Sequence, residues 1–136
     1  VYKRQNLSSL RYPPMSLYKR LLVVDDDPTT LLLLELAARP LDLEVTKAND
    51  VNRAVDAVRS QAYDLVVLDH DLNGVPGFEV LDYLRKPLGG VPVLVFSGHV
   101  TDEDRAQYRR RGVTTILEKP LSRDVLGFAM RRALKI

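Results

Sequence analysis

Six residues of this chain could do chemistry together if the fold brings them to one place. Asp25 and Asp26 follow the apolar run Leu21-Leu22-Val23-Val24, and Asp69 ends the run Leu65-Val66-Val67-Leu68, with Asp71 two residues on. Ser97 closes the segment Val91–Phe96, and Lys119 with Pro120 follows the segment Thr114–Leu117. Carboxylates are hard donors of the kind that hold Mg²⁺, which needs only one or two of them and keeps its waters. An ammonium and a hydroxyl suit phosphoryl oxygens, and one of the carboxylates can serve as a nucleophile. The set therefore fits a hard cation together with a phosphoryl group. Each residue also has a plainer use. An Asp after a strand often only caps the next helix, and Asp27 before Pro28 fits that role. Ser97 and Lys119, taken singly, fit a turn hydroxyl and a solvated amine. Their coincidence at four strand ends is what points to a site.

Those ends must be positioned by regular elements, and the chain alternates strand with helix. Strands are predicted at 21–24, 43–46, 65–68, 91–96 and 114–117. Helices are predicted at 31–38, 51–60, 78–85, 102–111 and 125–134, from apolar spacings such as Val51, Ala54, Val55 and Val58. The core strands are solid apolar runs rather than alternating ones, which implies a parallel sheet covered on both faces. In such open sheets ligands bind beyond the carboxyl ends of the strands. Asn49 and Asp50, past the second strand, receive no role.

With 136 residues the chain suits one domain. It has no cysteine, which excludes disulfides, thiolate metal sites and thiol catalysis. No apolar run reaches the roughly 20 residues of a membrane span. The formal charge of +2 conceals an asymmetry: the first 20 residues hold Lys3, Arg4, Arg11, Lys19 and Arg20 and no acid, leaving 15 basic against 18 acidic groups in the rest. A mildly acidic body argues against a nucleic-acid-binding face. Residues 1–18 are expected to be a disordered basic leader, upstream of or foreign to the fold, with the domain occupying 19–136.

From Arg20 onward the chain resembles the receiver domain of two-component response regulators, in the manner of the chemotaxis regulators. The resemblance rests on Leu21-Leu22-Val23-Val24-Asp25-Asp26-Asp27-Pro28, Asp64-Leu65-Val66-Val67-Leu68-Asp69, Gly77-Phe78-Glu79-Val80-Leu81, Val93-Leu94-Val95-Phe96-Ser97-Gly98 and Glu118-Lys119-Pro120-Leu121, in that order. It implies a flavodoxin-like doubly wound (βα)5 fold with strand order 2-1-3-4-5. It implies that Asp69 accepts a phosphoryl group from a phosphohistidine on a histidine kinase or histidine phosphotransfer protein. Asp25, Asp26 and Asp69 would hold Mg²⁺ with the backbone carbonyl of Asp71. Ser97 would hydrogen-bond the phosphoryl group, Lys119 would pair with it or with Asp69, and the Lys119–Pro120 bond would be cis. The partners implied are the kinase or phosphotransfer protein and a downstream protein target or fused output domain, in the cytoplasm, without direct nucleic-acid or membrane contact. Such a domain is a phosphoacceptor, not an enzyme in its own right, although it assists its own phosphorylation and dephosphorylation.

The chain also departs from the family pattern. Asn73 stands where a proline usually stiffens the loop after the phosphoacceptor, and Ile116 stands where an aromatic residue usually reads out the site. Asp71 and His99 occupy positions where the family tunes dephosphorylation, and His70 is expected to be an exposed loop residue. Leu31, Leu32 and Leu36 are expected to face outward from the first helix, offering a hydrophobic dock for the phosphoryl donor. Arg109, Arg110 and Arg111 are expected to form a solvated helix end. Two other readings compete: a phosphorylation-independent receiver-like interaction module, and a haloacid-dehalogenase-like phosphatase built on Asp69-His70-Asp71. The phosphatase is disfavoured because its second acidic pair should follow the lysine, whereas Asp25 and Asp26 precede it.

Overall fold

The computed structural model describes residues 18–136, so the expected leader at 1–18 falls almost wholly outside the described residues. The elements in order are β1 (Arg20–Val24), α1 (Pro28–Ala38), a 3-10 turn (Arg39–Leu41), β2 (Glu44–Ala48), α2 (Val51–Ser60) and β3 (Leu65–Leu68). There follow β4 (Asp71–Leu72), β5 (Val75–Pro76), α3 (Gly77–Leu88), β6 (Val93–Ser97), α4 (Asp102–Arg110), β7 (Thr115–Glu118) and α5 (Arg123–Leu134). Five strands form one parallel sheet in the order β2-β1-β3-β6-β7, which is 2-1-3-4-5 when only its own strands are counted. The expected flavodoxin-like (βα)5 fold is the observed one.

Both faces of this sheet are covered, which is why its central strands lack alternation. Leu22, Val24, Val66, Leu68 and Val95 face a core closed by Ala54, Val58, Leu81, Leu84 and Tyr108 from α2, α3 and α4. Leu21, Val23, Leu65, Val67, Leu94 and Phe96 face the opposite core, closed by Leu34, Ala37, Leu126 and Met130 from α1 and α5. Every residue of β1 after Arg20 thus has a buried side chain, on one face or the other.

Helix starts follow local chemistry. Asp27 caps α1 by accepting from the Thr29 N–H at 3.1 Å, and Asp50 caps α2 by accepting from Arg53 N–H at 2.7 Å. Thr101 and Asp104 form a capping box at α4. The observed α3 runs past its predicted end, through Pro87. A proline in the last turn removes only one helical hydrogen bond, and the Arg85 guanidinium holds the exit by donating to the carbonyls of Gly89 and Val91.

The 3-10 turn and the strands β4 and β5 have no counterpart in the sequence reading. Between Asp69 and α3 the chain makes a small antiparallel hairpin, with Asp71 opposite Pro76 and Leu72 opposite Val75. Its two-residue turn is Asn73-Gly74, with φ of +53° and +88°. Positive φ at both turn residues is the type I′ requirement, and Asn-Gly is the pair that meets it most readily. The loop lacks the usual proline and is fixed by a hairpin instead.

Candidate functional site

The register of the sheet decides what meets at its carboxyl edge. Val24 lies level with Ala48 and Leu68, and Leu68 level with Val95. The residues just beyond are therefore brought side by side: Asp25 N–H donates to the Ala48 carbonyl at 3.1 Å, and Asp69 N–H to the Val24 carbonyl at 2.9 Å. Side-chain oxygens of Asp25, Asp26 and Asp69 lie within 4.8 Å of one another. Asp25 and Asp69 are buried, at 1% and 6% exposure, while Asp26 faces solvent.

Lys119 reaches this cluster from the end of β7, its backbone held by a 2.8 Å bond from its N–H to the Ser97 carbonyl. Its Nζ donates to Asp25 Oδ2 at 3.0 Å and lies 3.7 Å from Asp69 Oδ1, so its nearer partner is Asp25. The Lys119–Pro120 peptide is cis, as expected. Ser97 is buried at the end of β6, and its hydroxyl makes no hydrogen bond among the described residues.

Burial raises the Asp25 carboxyl above its ordinary range, although the Asp27 N–H and Lys119 partly offset it. Burial also raises Asp69, repulsion from Asp25 adds to the effect, and Lys119 opposes it. One ammonium thus faces three carboxylates. Hard oxygen donors, crowding and uncompensated negative charge together suit a divalent cation.

Asp26 and Asp71 are tied to the hairpin. Asp26 Oδ2 accepts from Asn73 N–H at 3.0 Å, and Asp71 Oδ1 accepts from Gly74 N–H at 2.9 Å. The Asn73 amide donates to the Asn49 carbonyl at 3.2 Å, which gives Asn49 a structural part. The Asp71 side chain stands apart from the three-carboxylate cluster.

Three expectations need correction. His70 is not an exposed loop residue: its Nδ1 lies 2.6 Å from the Tyr108 hydroxyl and its Nε2 3.0 Å from Asp104 Oδ2. The hairpin folds the segment after Asp69 back toward α3, and this directs the ring inward against α4. Arg111 is not merely solvated, because its guanidinium grips Asp82 at 2.8 and 3.0 Å and stacks over Phe78. Of the three leucines expected to face outward from α1, only Leu32 is exposed, at 52%, since Leu31 packs partly against the α1/α5 core and Leu36 is half-buried. Tyr108 was missed as a residue of interest. Its buried hydroxyl gave no sequence signal, because its partner lies 38 residues away.

Residues 21–131 match the family described as the response regulator receiver domain. The chain is 39% identical over 115 residues to the transcriptional regulatory protein TcrA of Mycobacterium tuberculosis, covering 85% of this chain and 45% of that protein. It is 34% identical over 114 residues to the probable transcriptional regulatory protein TcrX of the same organism, covering 84% and 49%. The chain thus spans about half the length of these relatives. Among solved structures, NtrX from Brucella abortus superposes with a TM-score of 0.79 at 32% identity, over 88% of this chain and 28% of that one. A CheY-like receiver domain protein from Methanospirillum hungatei gives 0.81 at 22% identity over 87% and 94%, a likeness of fold.

Proposed function

The chain belongs to the response regulator receiver domain family, and from that premise we propose how its own residues carry the phosphoacceptor function. The observation that carries the reading is the Asp25–Asp26–Asp69 cluster at the sheet edge with Lys119 set against it. Asp69 is the acceptor. One of its carboxylate oxygens attacks the phosphorus of a phosphohistidine. The new O–P bond gives an acyl phosphate, and the P–N bond breaks to release the donor's imidazole, which takes its proton from solvent. Phosphoryl transfer of this kind depends mostly on positioning and charge neutralisation.

Mg²⁺ is the cation these hard donors suit, held by Asp25, Asp26 and Asp69 with the Asp71 carbonyl; when bound it neutralises charge on the transferring group. Lys119 holds Asp25 and Asp69 apart from full mutual repulsion and is placed to follow the added negative charge. The buried Ser97 hydroxyl, without a hydrogen-bond partner among the described residues, is the group that donates to a phosphoryl oxygen. The donors are histidine kinases or histidine phosphotransfer proteins, and the output is a downstream protein or a fused domain. None of the helices among the described residues is long and apolar enough to cross a membrane, and the cytoplasm is where such donors and Mg²⁺ meet. The match over residues 21–131 displaces the phosphatase reading.

The test uses phosphoramidate, a small donor with the same P–N bond. Intact-mass spectrometry should show one phosphoryl group per chain with Mg²⁺, none with EDTA, and none in Asp69→Asn. A folded wild-type chain that takes up no phosphoryl group would overturn the reading in favour of a phosphorylation-independent module.

A further inference from the structure

The residue after Asp69 is wired into α4 by a chain of hydrogen bonds. Tyr108 is fully buried, so its hydroxyl needs a partner, and that partner is His70 Nδ1 at 2.6 Å. The other ring nitrogen meets Asp104 Oδ2 at 3.0 Å. An ionised carboxylate can only accept, so Nε2 carries a proton toward Asp104, and in the neutral ring Nδ1 then accepts from the Tyr108 hydroxyl. Asp104 Oδ2 also accepts the Thr101 N–H at 3.2 Å, and Thr101 caps α4 four residues beyond Ser97. A continuous path results: Asp69 is covalently joined to His70, His70 bonds Asp104, Asp104 bonds Thr101, and a short loop leads from Thr101 to Ser97.

The path has little slack. Gly77 N–H donates to the His70 carbonyl at 2.6 Å, and a side chain at Gly77 would collide with the Tyr108 hydroxyl and the Asp69 carbonyl. Phe78 packs edge-on against Tyr108 and tilted against His70. Ile116, where the family usually carries an aromatic residue, offers no hydrogen bond and only packs against the same core. A shift of the Ser97 main chain as its hydroxyl engages a phosphoryl group would carry the 97–101 segment, and with it the Asp104 oxygen that the Thr101 N–H and His70 share.

We propose that His70 is a positioning residue that couples the state of Asp69 and Ser97 to the start of α4 through Asp104 and Tyr108, in place of an aromatic side chain at position 116. The coupling rests on Asp69 being the phosphoacceptor. The test records ¹H–¹⁵N spectra with and without Mg²⁺ and beryllofluoride, a phosphoryl mimic, for the wild type, Tyr108→Phe, His70→Gln and Ile116→Ala. Phosphoramidate uptake is measured on the same four proteins. In the wild type and in Ile116→Ala, amides of residues 101–111 should shift on loading. In Tyr108→Phe and His70→Gln those shifts should be at least halved while phosphoryl stoichiometry is unchanged. Tyr108→Phe keeps the ring that fills the core, so a purely packing role would leave the shifts intact. Wild-type shifts in both variants, or their loss in Ile116→Ala alone, would overturn the coupling. Absence of any wild-type adduct would instead overturn the phosphoacceptor reading beneath it.

Discussion

Asp25 and Asp69 are carboxylates held away from water, and the free protein is less stable for it. Burial raises both, and at Asp69 repulsion from Asp25 adds to the rise. A raised folded-state pKa means the native chain holds its proton more tightly than the unfolded chain. The stability these groups contribute is therefore present below the ordinary carboxylate range and lost as pH climbs through the raised values. In EDTA at neutral pH, Asp69→Asn should be more stable than the wild type by about 1 kcal/mol. Urea midpoints should show the gain shrinking as pH falls to where both carboxyls are protonated in either state. Lys119 works in the other sense. Lys119→Met leaves the buried Asp25 without its 3.0 Å partner and should cost about 2 kcal/mol in EDTA. Saturating Mg²⁺ should then raise the urea midpoint of the variant more than that of the wild type, because the cation supplies the missing charge. Equal Mg²⁺ stabilisation of the two proteins would contradict this electrostatic reading.

Among the elements, the β4–β5 hairpin shows both what the sequence reveals and what it hides. The central strands were legible because β1, β3 and β6 are buried on both faces and read as solid apolar runs. The hairpin was not, although Asn73-Gly74 is a strong turn signal, since its strands are two residues each and too short to show periodicity. The expected end of α3 at residue 85 falls short because the apolar spacing of Val80, Leu81 and Leu84 reaches no further, while the Arg85 bonds that hold the exit are tertiary detail. Gly74 adopts φ +88°, with open space where a side chain would go, so any penalty for Gly74→Ala is conformational. That variant should lose about 1 kcal/mol. Its urea midpoint should fall by the same amount in EDTA and in Mg²⁺ if the turn keeps its geometry.

For the whole molecule, parallel register places residues distant in sequence at one edge, and five linked motifs were enough to foresee which ones. Asp25, Asp26, Asp69 and Lys119 were legible because each follows a strand and their chemistry is complementary. His70, Tyr108, Asp104 and Arg111 were not, because a histidine in a loop or an arginine at a helix end looks solvated until a partner from another element is seen. Surface exposure is likewise a property of the packed molecule: of the leucines expected to face outward, Leu32 alone is exposed. Leu32→Glu should leave stability within about 0.5 kcal/mol. It should slow phosphoryl transfer from a phosphorylated histidine kinase while leaving the rate with phosphoramidate unchanged; equal slowing with both donors would remove α1 as a docking face.

The phosphoacceptor assignment depends on one oxygen-bearing side chain among several neighbouring carboxylates, and it can be read chemically. Borohydride reduces an acyl phosphate to an alcohol, converting the phosphorylated aspartate into homoserine. After phosphoramidate and Mg²⁺, reduction followed by peptide sequencing in the mass spectrometer should place homoserine at position 69 and nowhere else. Homoserine at position 25, 26 or 71, or none in a chain that has taken up phosphate, would contradict the site described.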